Sequence, residues 1–153
     1  MAEVLRSFSV LETAPKAWAA VFDVSGWTLA LDQSHKKGWG NRWSAPEVRP
    51  GAPVEMLYNA TLMQEWVVDE VMPGERLRLV SRAWHGKPQL SMSSSIEARV
   101  SRISDTETRV DLKVVSVFDG PFGGLLNALL PLKADLRRFL AQMERGLLKS
   151  LGA

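Results

Sequence analysis

Leu132, Leu136, Phe139, Leu140, Met143 and Leu147 recur at spacings of three and four near the end of the chain. Lys133, Arg137, Arg138, Glu144, Arg145 and Lys149 fall off that stripe. The spacing predicts an amphipathic helix over Leu132 to Leu151, with one face turned to a core. Pro131 suits the first turn of this helix, or a kink in a longer one that starts near Leu125. Burying six large apolar side chains would contribute roughly 10 kcal/mol before entropy, an upper estimate.

Upstream the period changes from helical to alternating. In Leu90 to Arg102, Leu90, Met92, Ile96, Ala98 and Val100 share one face, and Ser91, Ser93, Ser95, Glu97 and Arg99 share the other. A half-buried strand needs that alternation. Thr108 to Phe118 repeats it, with Val110, Leu112, Val114 and Phe118 facing inward. Val54 to Tyr58, Gln64 to Met72 and Arg76 to Trp84 read as further strands. The separators are the turns Pro73-Gly74, Gly86-Lys87-Pro88 and Ser104-Asp105-Thr106-Glu107. Short connections between consecutive strands imply an antiparallel meander.

The first half is less regular. Val4 to Leu11 reads as an edge strand. Thr13-Ala14-Pro15 opens a short helix whose apolar face is Trp18, Val21 and Phe22, and Ser25-Gly26 closes it. Between Trp27 and Pro53 a short helix near Leu29 to Gln33 and a strand near Arg42 to Val48 are expected. Parallel βαβ units are absent, so a doubly wound fold is excluded. The order predicts an α+β fold: a curved antiparallel β-sheet of about six or seven strands wrapped around a long C-terminal α-helix. No linker or repeat divides residues 1–153, so one domain is expected.

Composition removes several function classes. The chain has 153 residues and is 46% hydrophobic and 24% charged, which suits a globular domain rather than a disordered one. It has no cysteine, which excludes disulfides, thiolate metal sites and a cysteine nucleophile. Nineteen basic residues nearly balance seventeen acidic ones, with no basic stripe, so no nucleic-acid partner is expected. Met1 to Val10 lacks the pattern of a signal peptide. Phe122 to Leu132 is too short for a transmembrane segment. A soluble, cytoplasmic protein is the expectation, and the oligomeric state is left open.

Catalytic motifs are sparse. The two histidines, His35 and His85, stand about fifty residues apart with no metal-binding spacing, so no metal site is expected. There is no G-x-S-x-G elbow, and Gly120-x-x-Gly123-Gly124 lacks the Lys-Ser/Thr of a phosphate loop. That glycine run reads as a flexible lip over a pocket or as a plain strand-to-helix turn. No cofactor is called for. Asp111 and Lys113 fall on the solvent face of their strand. Arg78 and Arg82 are expected at the surface, because Leu77, Leu79 and Ala83 offer the more apolar opposite face. Ser94 shares the inward face with Met92 and Ile96, where its hydroxyl serves a ligand or its own backbone. Met56, Tyr58, Trp66, Met92, Phe118, Leu136, Phe139 and Met143 take inward positions. Adaptable Met side chains and aromatics with a polar tip suit a ligand pocket as well as a packed core.

Three segments carry a family resemblance. Ala14-Pro15-x-x-Trp18-x-x-x-Phe22-Asp23-x-x-x-Trp27 resembles the opening of START-like, polyketide cyclase/dehydrase proteins of the SRPBCC superfamily. Trp66-Val67-Val68-Asp69-Glu70-Val71-Met72-Pro73-Gly74-Glu75-Arg76-Leu77 is similar to that family's strand–Pro-Gly–strand hairpin. A glycine-rich loop followed by an amphipathic helix completes the match. The resemblance implies a helix-grip fold with an apolar pocket between sheet and helix. It implies a binding module for a small apolar, lipid-like or polyketide-like molecule held by Met56, Tyr58, Trp66, Met92, Ser94, Phe118, Leu136, Phe139 and Met143. It also leaves room for a polyketide cyclase/dehydratase, or for a cochaperone-like protein binder using exposed aromatics such as Trp39 or Trp43.

Overall fold

The computed structural model describes residues 2–27, 41–58, 61–84, 92–118, 123–125 and 132–152; the side chains of 41, 57, 58, 61–64, 82–84, 92, 132 and 135 lie outside this description. The expectations at Leu29 to Gln33, His35, Trp39, His85 and Gly120 therefore fall outside the described residues.

Seven strands form one antiparallel sheet: β1 Ala2–Val10, β2 Asn41–Ser44, β3 Pro53–Tyr58, β4 Thr61–Met72, β5 Arg76–Trp84, β6 Met92–Arg102 and β7 Thr108–Phe118. Their order across the sheet is β1-β7-β6-β5-β4-β3-β2, so β2 to β7 are a meander and β1 closes on β7. Gly74 turns the β4–β5 hairpin at φ +77°, a conformation that glycine adopts without strain. Alternation is complete in β7: Thr108, Val110, Leu112, Val114, Ser116 and Phe118 are buried, and the residues between them are not. β4 interrupts its alternation with register shifts at Glu65/Trp66 and at Val68/Glu70. Such bulges bend a strand and increase its twist, which curls the sheet.

The outer face is charged, as expected for Asp111, Lys113 and Arg78. Asp111 pairs with Arg109, Lys113 approaches Glu3, and Arg78 lies 3.5 Å from Asp69. These exposed pairs keep the face wet and contribute little stability each.

Helix α1, Ala14–Phe22, starts where the sequence indicates. The Thr13 hydroxyl accepts from the Lys16 amide at 3.4 Å, and proline stands in the first turn. Its buried face differs from the expected one. Ala17, Ala20 and Val21 are buried, whereas Trp18 is half-buried and Phe22 is exposed. The small alanines let α1 lie against β6 and β7, which leaves Trp18 and Phe22 to pack on each other with ring centroids 5.9 Å apart. A 3₁₀ turn, Val24–Trp27, follows. The Trp27 indole N–H donates to the Val21 carbonyl at 3.1 Å and so satisfies an orphan acceptor at the end of α1.

The C-terminal helix α2, Leu132–Ser150, buries Leu140, Met143 and Leu147, with Leu136 and Phe139 half-buried against the same core. It packs along β1, against the 24–27 turn and against β7. Gly146 permits the tightest approach: a Cβ there would stand 2.3 Å from the Trp27 carbonyl oxygen. Arg6 of β1 pairs with Glu144 of α2, tying helix to sheet from outside. No helix among the described residues is long and apolar enough to cross a membrane.

Candidate functional site

The inner face of the sheet and the buried face of α2 enclose one apolar interior. In the middle and towards α1, Leu77, Leu79, Ile96, Ala98, Leu112 and Val114 are each no more than 1% exposed. The Val100 rim, 7% exposed, lies at the end where Thr108 donates to the Glu12 carbonyl just before α1. At the opposite end Met56 and Phe118 keep 7% exposure and Ser94 keeps 8%, while Ser81, Leu136 and Phe139 are half-buried. α2 is held close to β1, to β7 and to the 24–27 turn, so the inner faces of β3 to β6 look towards side chains rather than towards its backbone.

Most of the expected site residues face this interior. Met56, Trp66, Ser94, Phe118 and Met143 are buried on inward positions, and Leu136 and Phe139 line the facing helix. Tyr58 ends β3 and Met92 opens β6, opposite Phe118, but their side chains lie outside the described residues.

Trp43 corrects one expectation. It is 2% exposed, not a surface aromatic open to a partner protein. On β2 it stands opposite Met56, and it gathers an aromatic cluster: Trp27 at 5.4 Å edge-on, Phe139 at 6.0 Å and Trp66 at 6.1 Å between ring centroids. Four segments of the chain, the 24–27 turn, β2, β4 and α2, thus meet in aromatic contacts. Its neighbours in sequence are polar, so only the sheet register turns it inward.

The polar groups on the inner wall are few. Ser94 and Ser116 share a hydrogen bond, Oγ to Oγ, of 2.7 Å, and both are buried. Ser81 Oγ accepts from the Ser94 amide at 2.8 Å. Gln142 of α2 is buried, and Trp66 Nε1 is buried without a hydrogen-bond partner. Ser81 and Ser116 continue the alternations Leu77, Leu79 and Val110, Leu112, Val114, which is the signal that marks them as inward; Gln142 stands three residues after Phe139. Among the described residues no three His, Asp or Glu side chains cluster to hold a metal. Among the described residues the one carboxylate with a shifted pKa, Glu97, lies on the outer face. Burial pushes its carboxyl up, but the hydrogen bond from Arg99 and the charges of Arg99, Arg76 and Lys113 outweigh that and hold it below the usual carboxylate range.

No family model and no curated protein matches the sequence. Solved structures do match. Protein CV1439 from Chromobacterium violaceum superposes with a TM-score of 0.62 at 15% identity, covering 95% of this chain and 93% of that one. The chain has the START-like, helix-grip fold. A point mutant of norcoclaurine synthase from Thalictrum flavum, in complex with a transition-state analogue, shares that fold with a TM-score of 0.58 at 9% identity, over 97% of this chain and 94% of that one. The di-domain ARO/CYC BexL, from the BE-7585A biosynthetic pathway, matches with a TM-score of 0.57 at 18% identity, over 99% of this chain and 45% of its own. The helix-grip chain here therefore corresponds in length to about half of that di-domain protein.

Proposed function

We propose that this chain binds a small apolar molecule, aromatic or lipid-like, between the inner face of the sheet and α2. The observation that carries the proposal is the apolar and aromatic lining of the interior at its Phe118 end, with a few polar groups set into it. There Met56, Phe118 and Ser94 keep 7–8% exposure and Leu136 and Phe139 are half-buried. Apolar walls with a few placed polar groups are the usual make-up of a small-molecule site. The shared fold supports the same reading, since two of the matched structures are described as a synthase holding a transition-state analogue and as an ARO/CYC protein.

A cyclase or dehydratase would need a titratable group against the ligand. Among the described residues the inner wall bears hydroxyls, an amide and indoles, which suit the orienting of a ligand. Protein binding through Trp43 is disfavoured by the burial of that side chain.

Native mass spectrometry of the purified protein tests the proposal, followed by titration of delipidated protein with an apolar fluorescent dye. Saturable one-to-one binding is expected, and Leu136→Trp, which adds bulk at a half-buried wall position, is expected to weaken it. A protein that carries no ligand and binds no dye would overturn the proposal.

A further inference from the structure

We infer that Ser81, Ser94 and Ser116, together with the indole N–H of Trp66, form a polar anchor for ligand oxygens on an otherwise apolar wall; the inference rests on the binding proposed above. These residues occupy consecutive strands. Trp66 of β4 is the register partner of Ser81 of β5, Ser81 bonds the amide of Ser94 of β6, and Ser94 is the register partner of Ser116 of β7. All four fall on inward positions, between Val68, Leu79, Ile96 and Val114 on one side and Phe118 on the other.

The sheet itself changes at this row. The β5–β6 ladder runs from Arg76↔Arg99 to Val80↔Ser95, although β5 continues to Trp84 and β6 begins at Met92. Just past the last ladder pair, the Ser81 hydroxyl takes the Ser94 amide in place of a backbone carbonyl. The regular pairing of the two strands ends where the serines stand, towards the Phe118 end of the interior.

The hydrogen-bond inventory of the row is incomplete on the donor side. Each serine hydroxyl has one proton to give and lone pairs to receive. One proton is used between Ser94 and Ser116. Ser81 uses its oxygen as an acceptor, which leaves its proton free. The second proton of the Ser94–Ser116 pair and the Trp66 Nε1 proton are free as well. Ser94, Ser116 and Trp66 are buried, and buried donors without acceptors are destabilising, so the row favours an occupant that brings acceptors. Neighbouring strands stand about 4.8 Å apart. Oxygens on alternate carbons of an aromatic ring are separated by about one strand spacing. A flat apolar body with carbonyl or phenolic oxygens along one edge fits both the spacing and the chemistry.

Isothermal titration with naphthoresorcinol, whose hydroxyls sit on alternate ring carbons, and with oxygen-free naphthalene tests the anchor. The wild type is expected to prefer naphthoresorcinol. The double variant Ser94→Ala/Ser116→Ala replaces both partners of one bond, which leaves neither half orphaned. It is expected to bind naphthoresorcinol about tenfold more weakly, the loss of roughly one desolvated hydrogen bond, with naphthalene unchanged. If the double variant does not fold, Ser81→Ala and Trp66→Phe, each alone, decide by the same ratio. A folded variant that keeps the wild-type preference overturns the anchor, as would water filling the row in place of ligand oxygens. Wild-type protein that binds naphthalene without favouring naphthoresorcinol overturns the anchor and leaves the binding proposal standing. Protein that binds neither overturns both.

Discussion

Gly146→Ala should destabilise the protein, against the usual behaviour of glycine inside a helix. Gly146 lies within α2, where alanine is ordinarily the better residue by about 0.5–1 kcal/mol. Here the added methyl would meet backbone: 2.3 Å to the Trp27 carbonyl oxygen, 2.9 Å to its carbon and 3.3 Å to Trp27 Cα. Backbone cannot rotate away as a side chain does. The 24–27 turn is also held from two sides, by the Trp27 indole on Val21 and by Ser25 accepting from the Ala45 amide. Either α2 lifts from the turn or the turn shifts, and overpacking of this kind costs about 1–3 kcal/mol. After the propensity gain, the net loss is about 1–2 kcal/mol. For a domain of this size that lowers Tm by roughly 2–8 °C. Urea denaturation followed by tryptophan fluorescence measures it, with Gly124→Ala as the control, since a Cβ at Gly124 meets nothing within 4 Å. A Gly146→Ala protein as stable as wild type, or more stable, would refute the close approach of α2 to the turn.

Three further outcomes follow from single contacts. Trp43→Ala removes the ring at the centre of the aromatic cluster and should cost about 3–5 kcal/mol, read as a lower denaturation midpoint; a loss under 1 kcal/mol would place Trp43 at the surface. Thr108→Val keeps the shape of a fully buried side chain but leaves the Glu12 carbonyl without its 2.8 Å donor, so a loss of about 1–2 kcal/mol is expected by the same assay. Glu97 has a folded-state pKa below its unfolded one, so its contribution is present above the unfolded carboxylate pKa and disappears as pH falls through the folded value. Glu97→Gln should therefore be less stable than wild type at neutral pH, with the difference closing in acid; a difference that is constant from neutral to acid pH would contradict the lowered pKa.

The elements were largely readable from local pattern. Period-two runs placed β5 and β7 at Arg76–Trp84 and Thr108–Phe118, and spacings of three and four placed α2, because burial on one face imposes those periods whatever the partner. The turn at Gly74 and the start of α1 at Thr13 were equally local, since cap and turn chemistry is decided within a few residues. Long-range pairing decided the rest. Nothing near Trp43 in sequence announces its burial; its place opposite Met56 and beside Trp27, Trp66 and Phe139 is set by four segments far apart in the chain. The face of α1 that packs inward was decided by how closely alanines let it approach the sheet, not by the size of Trp18 and Phe22. Ser94 was legible as an inward serine, but its neighbours in space, Ser81 and Ser116, became a row only through the registers of β5, β6 and β7. Periodicity reports which face of an element is buried. Which residues share a site depends on how those faces are brought into register, and that is a property of the tertiary structure.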